Sequence, residues 1–532
     1  MYTPLPTPAE MAQWDRMAIA HGVPEMLLME NASREALHVL TAEVGPLVGK
    51  RVLLFMGGGN NGGDAAALAR HLHDAGATVL VLHTRPLARM RGVAAKHVKL
   101  AKACGVTFLS ASVWPRYVPD TQWLYPDVVV DGLLGTGFSG SLRTQEATLV
   151  EAINGLRKVA FILALDIPSG LDGVTGEPCP VAVTANATVT FEAAKPGLVM
   201  PQAHAHAGTL HVRPIGIPAV VRAAAPPSCY AIGREAARLL PATLPDAHKG
   251  SAGHVLVIGG SHGLTGAPLL AALGALRAGA GLITLCGPGG LCAEMKHGYP
   301  EIMTLPLGTG TEWDSALWAD LAPQLGRFNA LVVGPGMGRT EGAARFVATL
   351  LAHPGRPAAV VDADALHALT TGLVSLDLIN ETDMLTPHPG EAARLLGITP
   401  GQVQRNRVAS LAALAQRHAG ITVLKGAGTC VKHGDGPMHI APYAVPTLGV
   451  AGSGDVLAGI CASLLAAGLA TVDAANLGVL LHAAAGESLI REFPLRGNSP
   501  RDIADAIPQA RKELSHAASQ GHHDHRPGHR LA

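Results

Sequence analysis

The sequence predicts two α/β domains built on largely parallel sheets, and three observations lead there. Short runs rich in Val, Leu and Ile alternate with alanine-rich stretches and are punctuated by glycine loops. The alternation falls into two separate series. A chain of 532 residues, 48% of them hydrophobic, also exceeds what one ordinary core accommodates.

In the first series RVLLFMG (51–57), TVLVLHT (78–84), DVVVDGLL (127–134) and VAFILALDIP (159–168) read as buried strands. In the second, HVLVIGG (254–260), ALVVGPG (330–336), AAVVDAD (358–364), MLTPHPG (384–390) and TVLKGAG (422–428) repeat the scheme. The Pro- and Ala-rich stretch 217–250 separates them, so the expected domains are 1–222 and 223–515. The remainder, HAASQGHHDHRPGHRLA (516–532), lacks apolar periodicity and reads as a solvated, disordered tail.

Composition narrows the partners. Forty basic and forty acidic side chains with no dense Lys/Arg block build no field for nucleic acid or an anionic membrane, so a small ligand is expected. Seven scattered cysteines without a C-x-x-C pair argue against a disulfide framework and a zinc site. No secretory signal or membrane-spanning run is evident, so a soluble, cytoplasmic protein is expected. His204, His206 and His211 in HAHAGTLH read as alternating strand residues.

The stretch GGGNNGGD (57–64) contains G-x-G-x-x-G at Gly57, Gly59 and Gly62. With a strand ending at Gly57 and a helix from about Asp64, its amides would face an anion, as a dinucleotide-binding Rossmann turn requires. The acid that such a site places about 20 residues on is replaced by His83-Thr84-Arg85. That leaves dehydrogenase-type binding incomplete. Two other loops share the same sheet end: GLLGTGFSGSLR (132–143), preceded by Asp131, and DIPSGLDGVTGE (166–177). Asn61, Asp131, Asp166 and Ser169 converge there as oxygen donors suited to a hard cation. A lone Asp at a strand end equally closes a turn or caps a helix.

GNNGGD, Asp131, GTGFSG, DIPSGLD and TVTFEAAKPGL (188–198) together resemble the N-terminal YjeF domain, the NAD(P)H-hydrate epimerase family, over about residues 10–218. The resemblance implies a Rossmann-like three-layer α/β/α domain. It implies that Asn60, Asn61, Gly62, Gly63 and Asp64, with Gly135, Thr136, Gly137, Phe138, Ser139, Gly140 and Ser141, hold the hydrated nicotinamide nucleotide. Asp166 would touch it and shuttle a proton, and Asn61, Asp131 and Ser169 would bind potassium. Lys195 falls in a family motif, and Ala65 stands where the family usually has glycine.

In the second series, VPTLGVAGSGDVLAGI (445–460) places Gly452, Ser453 and Gly454 where a glycine loop opens a helix. Their amides would form an anion pocket with Asp455 beside it as a base, an arrangement for phosphoryl transfer to a hydroxyl. By itself G-x-G-D is equally an ordinary helix cap. VLKGAGTCV (423–431), HKGSAGHVLVIGG (248–260), LVVGPGMGR (331–339), AVVDADAL (359–366) and TPHPGEAARLL (386–396) extend the pattern. Together they resemble the C-terminal YjeF domain, a ribokinase-like α/β fold whose family is the nucleotide-dependent NAD(P)H-hydrate dehydratase, over about residues 235–515.

By that resemblance Ala267, Gly338 and His388 contact the hydrated substrate; Lys425, Gly426, Ala427, Gly428, Thr429 and Gly454 hold the adenine nucleotide; and Asp455 meets the reacting hydroxyl. Mg²⁺ and ADP as co-substrate are implied, with NADHX and NADPHX as the other substrates and a homo-oligomer expected. Asp362 and Asp364 read as a strand-end turn or a metal neighbourhood. The alternative is a ribokinase-like kinase for a vitamin precursor, its first domain a non-catalytic nucleotide binder.

Overall fold

The computed structural model describes residues 2–114, 121–241, 249–250, 252–493, 495–520 and 530–531. It separates a first compact unit, Pro4–Tyr230 with a C-terminal segment, from a second formed mainly by the chain after Tyr230. The first unit reaches beyond residue 222 because the chain stays docked there. Val221 is fully buried, and the Trp14 indole donates to the Ala225 carbonyl at 2.7 Å.

The first unit is a parallel sheet of β1 (Arg51–Met56), β2 (Thr78–His83), β3 (Thr107–Ser110), β4 (Val128–Gly132), β5 (Phe161–Leu165), β6 (Ala187–Phe191) and β7 (Thr209–Arg213). The order is β7-β6-β5-β4-β1-β2-β3, with Val52 level with Val79 on one side and Val128 on the other. Val52 to Met56 are wholly buried, as helix layers on both faces of a parallel sheet demand. Strand order reverses at β1, so the crevice where an open α/β sheet binds ligands lies beyond the carboxyl ends of β1 and β4.

The second unit repeats the logic with β8 (His254–Ile258), β9 (Leu282–Pro288), β10 (Met303–Leu307), β11 (Ala330–Val333), β12 (Ala358–Val361), β13 (Met384–Leu385), β14 (Ile421–Leu424), β15 (Cys430–His433) and β16 (Met438–Ile440). These strands follow the order β16-β15-β14-β13-β12-β11-β8-β9-β10. The switch point is beside β8, and β15 and β16 join antiparallel. Helix α1 (Ser453–Ala466) is buried along nearly its whole length. A Cβ on Gly459 would lie 1.9 Å from the Ala271 carbonyl oxygen, so only glycine lets α1 press on the helix Gly266–Ala278. That contact brings the amino ends of both helices to the same sheet end.

Three expectations change. The helix expected from about Asp64 begins at Asn60: Gly62 and Gly63 sit in its first turns, where a Cβ on Gly62 would stand 2.1 Å from the Gly57 carbonyl oxygen. The glycines serve close packing of strand end on helix rather than a longer loop. His204 and His206 lie in a short helix, His204–Ala207, and only His211 is in a strand, because Gly208 at φ +59° turns the chain first. The last helix runs Pro500–Gln520 rather than stopping at 515, since nothing in SHAASQ halts it before Gly521. The histidine cluster at 521–529 lies outside the described residues, and Arg530–Leu531 pairs antiparallel with β7. Among the described residues no helix is long and apolar enough to cross a membrane.

The second unit carries a wholly buried ion pair. The Arg356 guanidinium donates to both Asp383 oxygens, at 2.7 and 2.5 Å, and neither side chain is exposed. Arg356→Met leaves that carboxylate without its partner and is expected to cost about 3–5 kcal/mol, read as a lower midpoint in denaturant unfolding. An unchanged midpoint would contradict it.

Candidate active sites

In the first unit the crevice is a cavity of about 500 Å³, within the range of small-molecule sites. Asn60, Asn61, Asp64, Gly135, Thr136, Gly137, Phe138 and Asp166 line it. Gly62 and Gly63 are buried behind it, and Ser139, Gly140 and Ser141 are exposed and do not line it.

Asp166 follows β5 with a φ of +62°, a conformation that costs a non-glycine residue roughly 1–3 kcal/mol and is kept where the surroundings impose it. Its carboxylate accepts from the Lys195 ammonium at 2.5 Å and Thr190 Oγ1 at 3.3 Å. Its other oxygen faces the Thr136 amide at 3.4 Å. Lys195 has no exposed surface and also donates to Thr190 Oγ1 and the Phe191 carbonyl. Two further carboxyls face the cavity. Burial, reinforced by the Asp166 charge, pushes Asp64 well above the usual carboxylate range, and burial lifts Asp15 to about 6. Asp15 was not legible as a site residue.

At the cavity wall, Asn61 donates through Nδ2 to the Leu134 and Leu165 carbonyls at 2.6 and 3.1 Å. Its Oδ1 is buried with no hydrogen-bond partner. Asp131, fully buried, accepts from Ser169 Oγ at 2.6 Å and the Ser169 amide at 2.7 Å; burial raises it to about 6 against those bonds. An orphaned amide oxygen, one carboxylate and a hydroxyl are the donor set of a large, hard cation. The residues fit potassium.

In the second unit Asp455 occupies the first turn of α1, after Gly452 at φ +90°. Burial, then the neighbouring Asp362 carboxylate, lifts it to about 7 although Lys425 opposes this. The Ser453 amide is engaged by the Val450 carbonyl at 3.2 Å, so the expected three-amide anion pocket reduces to Gly452 and Gly454. A Cβ on Gly454 would stand 3.1 Å from the Lys425 ammonium, which also binds Asp362 Oδ1 at 2.6 Å. Burial alone would lower that ammonium, but Asp362 and Glu391 carry it above its ordinary value.

His388 caps the helix Pro389–Leu396, accepting the Gly390 amide on Nδ1 at 2.9 Å. Its neighbour Glu391, buried, rises to about 7. The Lys425 amide donates to the Pro387 carbonyl at 2.9 Å, joining the two loops. Gly338, at φ +82°, donates its amide to Asp364 Oδ2 at 2.9 Å, and half-buried Ala267 opens the helix Gly266–Ala278 beside Gly336. Lys425 to Thr429 form the turn between β14 and β15, with Gly426 and Ala427 exposed.

A family model described as YjeF-related protein N-terminus matches residues 25–197, and one described as NAD(P)H-hydrate dehydratase matches residues 255–509. The bifunctional NAD(P)H-hydrate repair enzyme of Moorella thermoacetica is 38% identical over 96% of this chain and 97% of its own length. The chain belongs to the bifunctional NAD(P)H-hydrate repair enzyme family. The Escherichia coli member is 34% identical, over 86% of this chain and 84% of its own. Among solved structures, an ADP/ATP-dependent NAD(P)H-hydrate dehydratase from Bacillus subtilis, co-crystallised with ATP and Mg²⁺, is 26% identical. It covers 53% of this chain and 98% of that one, with a TM-score of 0.46.

The repair-enzyme fold also depends on a residue the motifs do not mark. Arg407, 2% exposed, donates to the carbonyls of Leu424, Lys425 and Gly428 at 2.7, 3.1 and 3.2 Å. It holds the turn that carries Lys425 from beneath. Arg407→Met is expected to raise the KM for nucleotide at least tenfold, since losing charged hydrogen bonds costs about 1.5–3 kcal/mol each. Its effect on kcat should be smaller; an unchanged nucleotide KM would refute the role.

Proposed function

We propose that the first unit interconverts the R and S forms of hydrated NADH and NADPH at C6, and that the second dehydrates the S form with ADP as phosphoryl donor, releasing AMP and phosphate. Family membership supports the pair of activities. For the dehydratase the observation that carries the reading is Asp455, a half-buried carboxyl lifted to about 7 and under the influence of the Lys425 charge, beside Gly454, whose backbone approaches the Lys425 ammonium.

In the second unit the C6 hydroxyl of the substrate lies between Asp455 and the β-phosphoryl of ADP, with Ala267, Gly338 and His388 against the substrate. Asp455 takes the hydroxyl proton while the oxygen attacks phosphorus and AMP departs. The Gly452 and Gly454 amides and Lys425 neutralise charge on the moving phosphoryl. The hydroxyl is now a phosphate ester, a far better leaving group. The ring nitrogen lone pair expels phosphate, C5 loses a proton, and the dihydropyridine is restored. Gly426 to Thr429 hold the nucleotide. Mg²⁺ would arrive on the nucleotide phosphates, as it commonly does.

In the first unit the same lone pair expels the C6 hydroxyl as water after its protonation, leaving a planar iminium that water attacks from the other face. Asp166, fixed by Lys195 and Thr190, moves the proton. A potassium ion would be held by Asn61, Asp131 and Ser169, where it would supply positive charge behind the loop that carries Gly135 and Thr136. We place the protein in the cytoplasm, where its seven free cysteines stay reduced, and expect a homo-oligomer. The test is recovery of NADH absorbance from mixed hydrated epimers with ADP and Mg²⁺. Complete recovery supports both activities, recovery of only the S fraction removes the epimerase, and none removes the dehydratase. A stable phosphorylated product would instead favour a kinase.

A further inference from the structure

Epimerisation at C6 needs a proton given on one face of the ring and a proton taken on the other, yet Asp166 comes from a single wall of the cavity. The helix Pro8–Ala20 forms another wall. It is anchored by Trp14 and Ala18, both wholly buried, and turns Met11, Asp15 and Ile19, spaced by four, toward the cavity. Whereas Asp166 is clamped by Lys195 and Thr190, the Asp15 carboxyl makes no hydrogen bond or ion pair among the described residues. A half-buried carboxyl left unpaired on a cavity wall is available to a ligand.

We propose that Asp15 is the second proton-transfer residue of the epimerase, serving the face of C6 that Asp166 does not. This rests on the epimerase reading of the cavity. From the R form, the Asp15 carboxylic acid gives its proton to the C6 hydroxyl; the C–O bond breaks with its electron pair on oxygen, water departs, and the nitrogen lone pair forms the C6–N double bond. Water then adds on the opposite face, that bond's electrons return to nitrogen, and the Asp166 carboxylate takes the proton the water loses. Exchange with solvent returns a proton to Asp15 and removes one from Asp166. The reverse conversion uses the two residues in exchanged roles.

The electrostatics agree. Burial lifts Asp15 to about 6, with Asp166, Glu192 and Glu25 adding to the rise and Lys195 opposing it. Asp64 feels Asp15 in turn, and Arg16 lines the same cavity. Asp15 therefore changes charge in the working range, and Asp64 beside it is held above the usual carboxylate range by burial.

The experiment uses the full-length chain and purified R epimer, with formation of the S epimer followed by chromatography from pH 5 to 8 and the non-enzymatic rate subtracted. Wild-type turnover of R is expected to fall as pH rises through about 6, because the acid form is lost. Asp15→Asn should lower kcat by at least roughly 10²-fold and abolish that limb. Asp15→Glu should restore a displaced limb and part of the rate. An unchanged denaturant-unfolding midpoint of the first unit in both variants shows that it is folded. Wild-type epimerisation by Asp15→Asn, or a reduced rate with the limb intact, overturns the proposal. Absence of interconversion by the wild type would overturn the epimerase reading itself.

Discussion

Asp455→Asn is expected to lower the turnover of S-epimer dehydration by roughly 10²–10⁴-fold, the span that loss of a positioned general base produces, while epimerisation proceeds at the wild-type rate. The amide keeps the shape of the side chain, so nucleotide KM should change little. A pH signature accompanies it. The base acts as a carboxylate, and burial with Asp362 nearby sets its midpoint near 7 in the free enzyme. Dehydratase kcat/KM should therefore rise with pH through about 7, and the residual Asp455→Asn activity should lack that limb. A limb of the same position in the variant would move the titration to another group, Glu391 being the nearest candidate at about 7.

Asp166→Asn carries the second large effect, and it has two parts. Proton transfer is lost, which removes roughly 10²–10⁴-fold of the epimerase rate. Lys195, with no exposed surface, also loses its 2.5 Å partner; an uncompensated buried charge costs about 3–5 kcal/mol. The first unit should unfold at lower denaturant concentration than in the wild type. Asp166→Asn combined with Lys195→Met should recover most of that stability and none of the activity. Stability and rate then separate: a double variant as unstable as the single one would show that Lys195 is not held by this pairing, and one that epimerises would show that Asp166 is not the acid–base group.

Much of the fold was legible because hydrophobic runs ending in glycine declare themselves locally. Each β-strand quoted from the sequence begins within a few residues of an observed one, and the loops that follow β1, β4 and β5 do meet at one crevice. What was not legible was the pairing of charges. Asp166 and Lys195 are 29 residues apart, and Asp362 and Lys425 are 63 apart; only the strand order β6-β5 and β14-β13-β12 makes them neighbours, and no spacing rule encodes it. Arg407 lies in a helix whose sequence reads as an ordinary amphipathic stretch, and its burial under the Lys425 turn is a tertiary fact. Asp15 was hidden for the opposite reason: its helix precedes the first strand, outside the βα rhythm that drew attention to loops. The amide of Ser453 was misassigned because a glycine-serine-glycine run looks uniformly open, whereas the φ of +90° at Gly452 folds the Ser453 amide back onto Val450.

The account turns on the C6 oxygen leaving as phosphate rather than as water. S-epimer carrying ¹⁸O at the C6 hydroxyl, turned over by the intact chain with ADP and Mg²⁺, should release inorganic phosphate containing one ¹⁸O atom per NADH formed, resolved by mass spectrometry. Phosphate free of label, with the ¹⁸O recovered in solvent water, would mean that Asp455 never directed that oxygen at phosphorus.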